Sequence, residues 1–267
     1  MSGKKNMGVA LSGSGFLGVL HIGGLNAIEN AGYRVAELSG TSGGAIVAAL
    51  YASGIRGINL KNLFGITDFS DFLDYHYWRI LFGKTGFCNG DTLLSWLMVH
   101  TGGKTFSEID IPLTVMATDL TNGTSFKFSK ETTPDAPVAL AARASSAIPI
   151  LYDAVIYKGR FLQDGGMVCN IPTNHLSGTN RRIGLEVVEQ KSLLPDNASW
   201  IRRGEQAISL MLSANEGARV AWAEETGVTI VPLPSLGLSP LDRMMTHTQK
   251  EDLYNSGYQA VSDTFKH

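Results

Sequence analysis

Gly40-Thr41-Ser42-Gly43-Gly44 places a serine in the pattern Gly-x-Ser-x-Gly, after an apolar run that reads as a strand and before an alanine-rich run that reads as a helix. A sharp strand-to-helix turn lifts a hydroxyl clear of the backbone and tolerates only small neighbours. The helix behind it aims free N–H groups and a positive dipole end at negative charge developing on a substrate. The chemistry on offer is nucleophilic attack by Ser42. The plainer reading is a Gly/Ser turn that only joins two elements.

An attacking hydroxyl needs a base for its proton and donors for the oxyanion that forms. The histidines are His21, His76, His100, His175, His247 and His267. His21 falls inside the first expected helix and reads as a packed core histidine. His175 and His247 fit the chain order Ser, Asp, His and are the candidates if a triad exists. Asp164 is the better candidate for the base, because it follows an expected hairpin strand and precedes Gly165-Gly166, which lets another backbone approach closely. A carboxylate acts as base directly when it reaches the hydroxyl and a poorly solvated site raises its pKa above ~3.9. Asp-Gly is also a common turn pair, and locally the two readings stand level.

The donors would come from Ser12-Gly13-Ser14-Gly15-Phe16-Leu17-Gly18, a second strand-to-helix loop that adjacent parallel strands would bring beside Ser42. The same loop could cradle a phosphate. Its glycines also spell G-x-G-x-x-G, a dinucleotide fingerprint of weak specificity, with Glu37 near the place where such a site expects an acid. A cofactor reading leaves the serine turn unexplained.

The elements that must position these residues follow from apolar patterning. Residues 7–11 and 35–38 read as buried strands, each followed by a glycine turn and a helix, and this repeat implies parallel pairing with helical crossovers. Residues 113–117 and 125–128 read as strands and 138–144 as a helix. Residues 154–163 read as a hairpin with Lys158-Gly159 in its turn. Residues 183–188 and 228–231 are further strands, separated by a helix carrying Ile208, Met211, Leu212, Ala218 and Trp222 on one face, and 250–266 closes the chain as a helix. Residues 55–103 lose clear periodicity and gain aromatics, which reads as an insertion over one end of the sheet. Its stretch Tyr75-His76-Tyr77-Trp78-Arg79-Ile80-Leu81-Phe82 suits either an interfacial or acyl-binding cap or the packing of a helical one.

Composition narrows the classes. At 267 residues the chain is sized for one large domain. Charged residues are 17%, below the usual ~25%, with 30 glycines, which disfavours disorder and coiled coil. A net charge of −2 supplies no overall positive field for a phosphate backbone, so no nucleic-acid partner is expected. Cys88 and Cys169 fit buried thiols in a reducing compartment. No signal peptide or membrane-spanning run is visible, so contact with lipid would come from the side.

Residues 13–18 with His21-Ile22-Gly23, the Ser42 motif and Asp164-Gly165-Gly166, in that order, resemble the patatin-like phospholipase family. Ala117-Thr118-Asp119-Leu120 and Arg143-Ala144-Ser145-Ser146-Ala147-Ile148-Pro149 are similar to family segments lying between the serine and the aspartate. The resemblance spans about residues 7–172. The whole chain, 1–267, reads as a single domain, and the resemblance implies a three-layer α/β/α fold with a mainly parallel central sheet and a Ser-Asp dyad of Ser42 as nucleophile and Asp164 as base. It also implies an oxyanion hole from the N–H groups of Gly13, Ser14 and Gly15, and acyl-ester hydrolysis through an acyl-enzyme with no metal or organic cofactor.

The expected substrate is a fatty-acyl ester of phospholipid or lysophospholipid, met in transient contact with a membrane surface by a cytoplasmic or peripheral membrane protein, with export by a non-classical route left open. This chain departs from the family in having Ser14 for the second of three glycines and Leu17 for a basic residue. That departure motivates a rival, a catalytically silent lipid-binding effector. A second rival is an acyltransferase that uses the same serine.

Overall fold

The computed structural model describes residues 4–75, 86–189 and 225–266, with 196–197, 203–204, 206–207 and 210 between the last two stretches. Its main sheet has eight strands: β1 (Lys5–Leu11), β2 (Tyr33–Thr41), β4 (Leu113–Asp119), β5 (Thr124–Phe128), β7 (Val155–Tyr157), β8 (Arg160–Asp164), β9 (Arg182–Val188) and β10 (Thr229–Pro234). A separate pair joins β3 (Gly86–Cys88) to β6 (Ile150–Tyr152). Six α-helices are described: α1 (Val19–Asn30), α2 (Gly43–Ala52), α3 (Gly57–Ile66), α4 (Asp91–Thr101), α5 (Val138–Ser145) and α6 (His247–Asp263).

Strands β10, β9, β1, β2 and β4 lie side by side and pair in parallel, while β5, β7 and β8 pair antiparallel. The class is therefore α/β with a mainly parallel central sheet. Strands buried on both faces read as unbroken apolar runs, and Met7 to Leu11 are buried without interruption. The steps from β1 to β2 to β4 go one way along the sheet, so right-handed crossovers put α1 and α2 on one face.

The register of β4 positions the site. Its residues Leu113 to Met116 pair with Leu38 to Thr41 of β2, and its residues Ala117 to Asp119 pair with β8. Strand β5 covers Val115 to Asp119 and so occupies the other edge. Strands β2 and β8 therefore share one edge of β4 and arrive from opposite ends. Thr41 stands opposite Met116 and Asp164 opposite Ala117, so the residue after β2 meets the end of β8.

Most expected strands appear with longer bounds. β2 runs to Thr41 instead of stopping at Leu38, because buried small polar residues continue it to the turn. The hairpin turn is at Lys158 (φ 50°) and Gly159 (φ 76°), both with positive φ as a tight two-residue turn requires. α6 starts three residues before the expected 250, where Thr246 and Gln249 form a reciprocal capping box. Gly257 lets α6 touch α1, since a Cβ there would strike the Leu20 carbonyl oxygen.

The 55–103 insertion is helical in α3 and α4, and β3 pairs outside the main sheet. The residues that mark the expected helix, Ile208, Met211, Leu212, Ala218 and Trp222, and the residues 76–82 of the aromatic stretch lie outside the described residues. Among the described residues no helix is long and apolar enough to cross a membrane.

Candidate active site

Ser42 sits between β2 and α2 with φ 52° and ψ −126°. A non-glycine residue held there costs about 1–3 kcal/mol and persists only where its surroundings enforce it. The crowding is visible at Gly43, where a Cβ would strike the Gly15 carbonyl oxygen and the Ser14 hydroxyl. Ser42 donates its backbone N–H to Ser145 Oγ at 2.8 Å. Its own Oγ donates to Asp164 Oδ2 at 2.7 Å.

Asp164 is fully buried. Its Oδ1 accepts the Gly166 N–H at 2.8 Å, its carbonyl accepts the Thr118 hydroxyl at 2.7 Å and its N–H donates to the Ala147 carbonyl at 3.1 Å. Gly165 allows the close approach that its position suggested, since a Cβ there would meet the Met116 carbonyl oxygen. Burial pushes the Asp164 pKa up to about 6, against the pull of the bonds from Ser42 and Gly166. A carboxylate so placed is ionised at neutral pH and still basic enough to accept a proton from the hydroxyl it touches.

The first glycine loop lies beside this pair. Gly13 gives its N–H to the backbone carbonyl of Asn170 at 3.0 Å and to Asn170 Oδ1 at 3.1 Å. Phe16 N–H goes to the Pro240 carbonyl at 2.8 Å and Leu17 N–H to the Ser14 carbonyl at 2.9 Å. Among the described residues the N–H groups of Ser14 and Gly15 meet no acceptor. The positive φ of the loop falls on Gly15, at 52°, and not on Ser14, so a side chain at position 14 carries no backbone penalty there. Leu17 is wholly buried in the main core, which accounts for an apolar residue at that position.

The other sequence candidates are accounted for elsewhere. Glu37 accepts the N–H groups of Ser177 (3.1 Å) and Gly178 (2.9 Å), so its carboxylate holds a loop of the protein and not a ribose. His21 is buried, bonded through Nε2 to the Ser12 carbonyl at 2.9 Å, and burial lowers its pKa to about 4. It is a neutral core residue. Among the described residues no histidine hydrogen-bonds to Ser42 or Asp164. Cys88 and Cys169 are buried and form no disulfide with each other.

Ser42 opens into an apolar cavity of about 520 Å³, mouth included, with Phe16, Phe64, Phe69, Phe72, Trp96 and Tyr152 in its walls. Four of those aromatics come from the 55–103 insertion, which therefore both packs the core and lines the cavity. Phe72 and Trp96 lie 5.2 Å apart, and Phe64 and Phe69 5.6 Å apart. The wall is pinned from behind by Lys250 of α6, whose ammonium donates to the carbonyls of Phe64 (3.2 Å), Gly65 (3.3 Å) and Thr67 (2.6 Å) and lies 4.9 Å from the Phe69 ring centre.

The family model for patatin-like phospholipase matches residues 9–177. The chain belongs to that family. The patatin-like chain is 31% identical to the protein YqhO of Bacillus subtilis, over 83% of this chain and 86% of YqhO. It is 25% identical to an NTE family protein of Mycobacterium tuberculosis, over 80% of this chain and 59% of that protein. Among solved structures it is similar to VipD from Legionella pneumophila, with a TM-score of 0.69 at 16% identity, over 99% of this chain and 67% of that one. The last likeness is one of fold.

Two contributors to this patatin-like site were given no role by the sequence, although Ser145 lies in the family-like stretch Arg143–Pro149 and Asn170 within the span of the resemblance. Asn170 engages Gly13, and Ser145 engages the amide of Ser42.

Proposed function

We propose that the protein hydrolyses fatty-acyl esters of phospholipid or lysophospholipid, with Ser42 as nucleophile and Asp164 as base, working in contact with a lipid surface. The observation that carries this reading is the 2.7 Å bond from the Ser42 hydroxyl to a buried carboxylate, at the end of an apolar, aromatic-walled cavity. Asp164 takes the Ser42 proton as Oγ attacks the ester carbonyl. The oxyanion falls to backbone donors at the start of α2 and in the first glycine loop, where Ser14 and Gly15 have N–H groups to give and Gly13 has committed its own to Asn170. Collapse expels the alcohol, which leaves with the proton from Asp164, and the acyl group stays on Ser42. Water then attacks the acyl-enzyme, gives its proton to Asp164, and the fatty acid departs as Ser42 recovers its hydrogen.

A fluorophosphonate probe tests the nucleophile without assuming a lipid. Intact mass should show a single adduct on wild type and none on Ser42→Ala. Release of fatty acid from phosphatidylcholine and lysophosphatidylcholine vesicles should be lost in Ser42→Ala and in Asp164→Asn. A folded wild type that neither labels nor hydrolyses would support the silent lipid-binding reading. Acyl transfer to an added alcohol in preference to water would support the acyltransferase.

A further inference from the structure

We propose that Ser145 is a positioning residue for the nucleophile, acting through the backbone of Ser42. The inference rests on the role of Ser42 given above and adds a residue to it. Ser145 closes α5 and is fully buried. Its hydroxyl accepts the Ser42 N–H at 2.8 Å and donates to the Met116 carbonyl at 2.5 Å.

Those two partners lie where the sheet changes hands. Met116 is the last residue of β4 that β2 pairs with, and Ala117, the next, belongs to β8. Ser42 is the residue at which the chain turns off that edge with positive φ. Its amide has left the ladder and is buried, so it needs an acceptor that no strand supplies. The Ser145 hydroxyl has both capacities, one proton to give and lone pairs to receive, and it joins the strand's carbonyl to the departed amide. Alanine, glycine or an apolar residue of any size could do neither.

This bond fixes chemistry as well as backbone. The φ of Ser42 sets the direction of Cβ, and so whether Oγ reaches Asp164 Oδ2 at 2.7 Å. The neighbouring serine shows that a hydroxyl on α5 does not find this place by default. Ser146 turns its Oγ back to the Ala142 carbonyl of its own helix at 2.8 Å. Because the amide of Ser42 is spent on Ser145, it is also removed from the set of oxyanion donors, which leaves that role to the groups around it.

The test compares Ser145→Ala, Ser145→Cys and Ser145→Thr with wild type by the rate of fluorophosphonate labelling at Ser42 and by kcat and KM on a soluble p-nitrophenyl ester. Ser145→Cys keeps the unbranched shape of the side chain, with a somewhat larger γ-atom that is a much weaker hydrogen-bonding partner, so it tests the idea even if the alanine variant does not fold. Labelling and kcat should fall about 10- to 100-fold in the alanine and cysteine variants, as expected for a misplaced reacting atom, with KM within about twofold. Ser145→Thr restores the hydroxyl and should recover most of the rate. A purely structural role would lower the urea midpoint without this split between kcat and KM. A wild type that labels and a folded Ser145→Cys that labels as fast would overturn this proposal alone. A wild type that does not label at Ser42 would overturn the role of Ser42, and this proposal with it.

Discussion

Replacing Asp164 by asparagine should stabilise the protein, and by an amount that grows with pH. The folded carboxyl titrates at about 6 and its ordinary value is 3.8, with burial as the main cause. Below pH 3.8 both folded and unfolded chains hold this proton. Between 3.8 and 6 the folded chain holds it and the unfolded one has lost it, so each step up in pH costs stability. Above 6 both have lost it, and the whole gap of about 3 kcal/mol has been given up. Asparagine has no such titration, and it fits the same contacts with Oδ1 toward the Gly166 N–H and Nδ2 toward Ser42 Oγ.

His21 runs the other way in wild type. Its folded pKa of about 4 lies below 6.5, so its contribution rises with pH over that window and nearly cancels the loss from Asp164. The stability of Asp164→Asn minus that of wild type removes His21 and every other shared group. That difference should rise by about 2 kcal/mol between pH 4.5 and 7, roughly two-thirds of the full effect. Urea unfolding at half-unit steps of pH, followed by circular dichroism, measures it. A difference that stays flat, or shrinks with pH, would refute the reasoning that a buried ionisable carboxylate is maintained at this site for function against stability.

The same carboxylate sets the rate profile. Asp164 must be ionised to accept a proton, so kcat/KM on a p-nitrophenyl ester should fall about tenfold per pH unit below a limb centred near 6, and a limb near 4 would contradict the burial argument. Lys250→Met keeps the side-chain stem but strips three carbonyls of their donor, so urea unfolding should show a loss of about 2–3 kcal/mol. The aromatic wall behind which Lys250 sits should loosen with it, raising KM for long acyl chains more than for short ones.

Much of this was legible because close backbone approach leaves a mark. Gly43 and Gly165 have no room for a side chain, and each sits beside a residue that the motif reading singled out. The buried strands were legible for a related reason, since β1 has neighbours on both faces and reads as an unbroken apolar run. Glu37 shows the limit of such reading. An acid near the end of a second strand fits a ribose contact or a structural one equally well, and only the position of the 177–178 loop decides between them. The departures at Ser14 and Leu17 were equally opaque. Whether a serine pays for replacing a glycine depends on which residue of the loop has positive φ, and that residue is Gly15.

The pairing of Ser42 with Asp164, 122 positions apart, is a property of β4 more than of either motif. A single edge serves two strands in turn, parallel β2 and then antiparallel β8, and both stop at the handover. Ending β2 there frees the amide and the hydroxyl of Ser42, while ending β8 there buries the carboxylate of Asp164 against them. Each consequence is costly for the fold, through a strained serine and an acid held away from water. Their coincidence at adjacent registers is what brings a hydroxyl and a raised-pKa base within 2.7 Å. Ser145 belongs to the same logic, since its hydroxyl links the carbonyl of the last residue that β4 pairs with β2 to the amide that β2 has carried away.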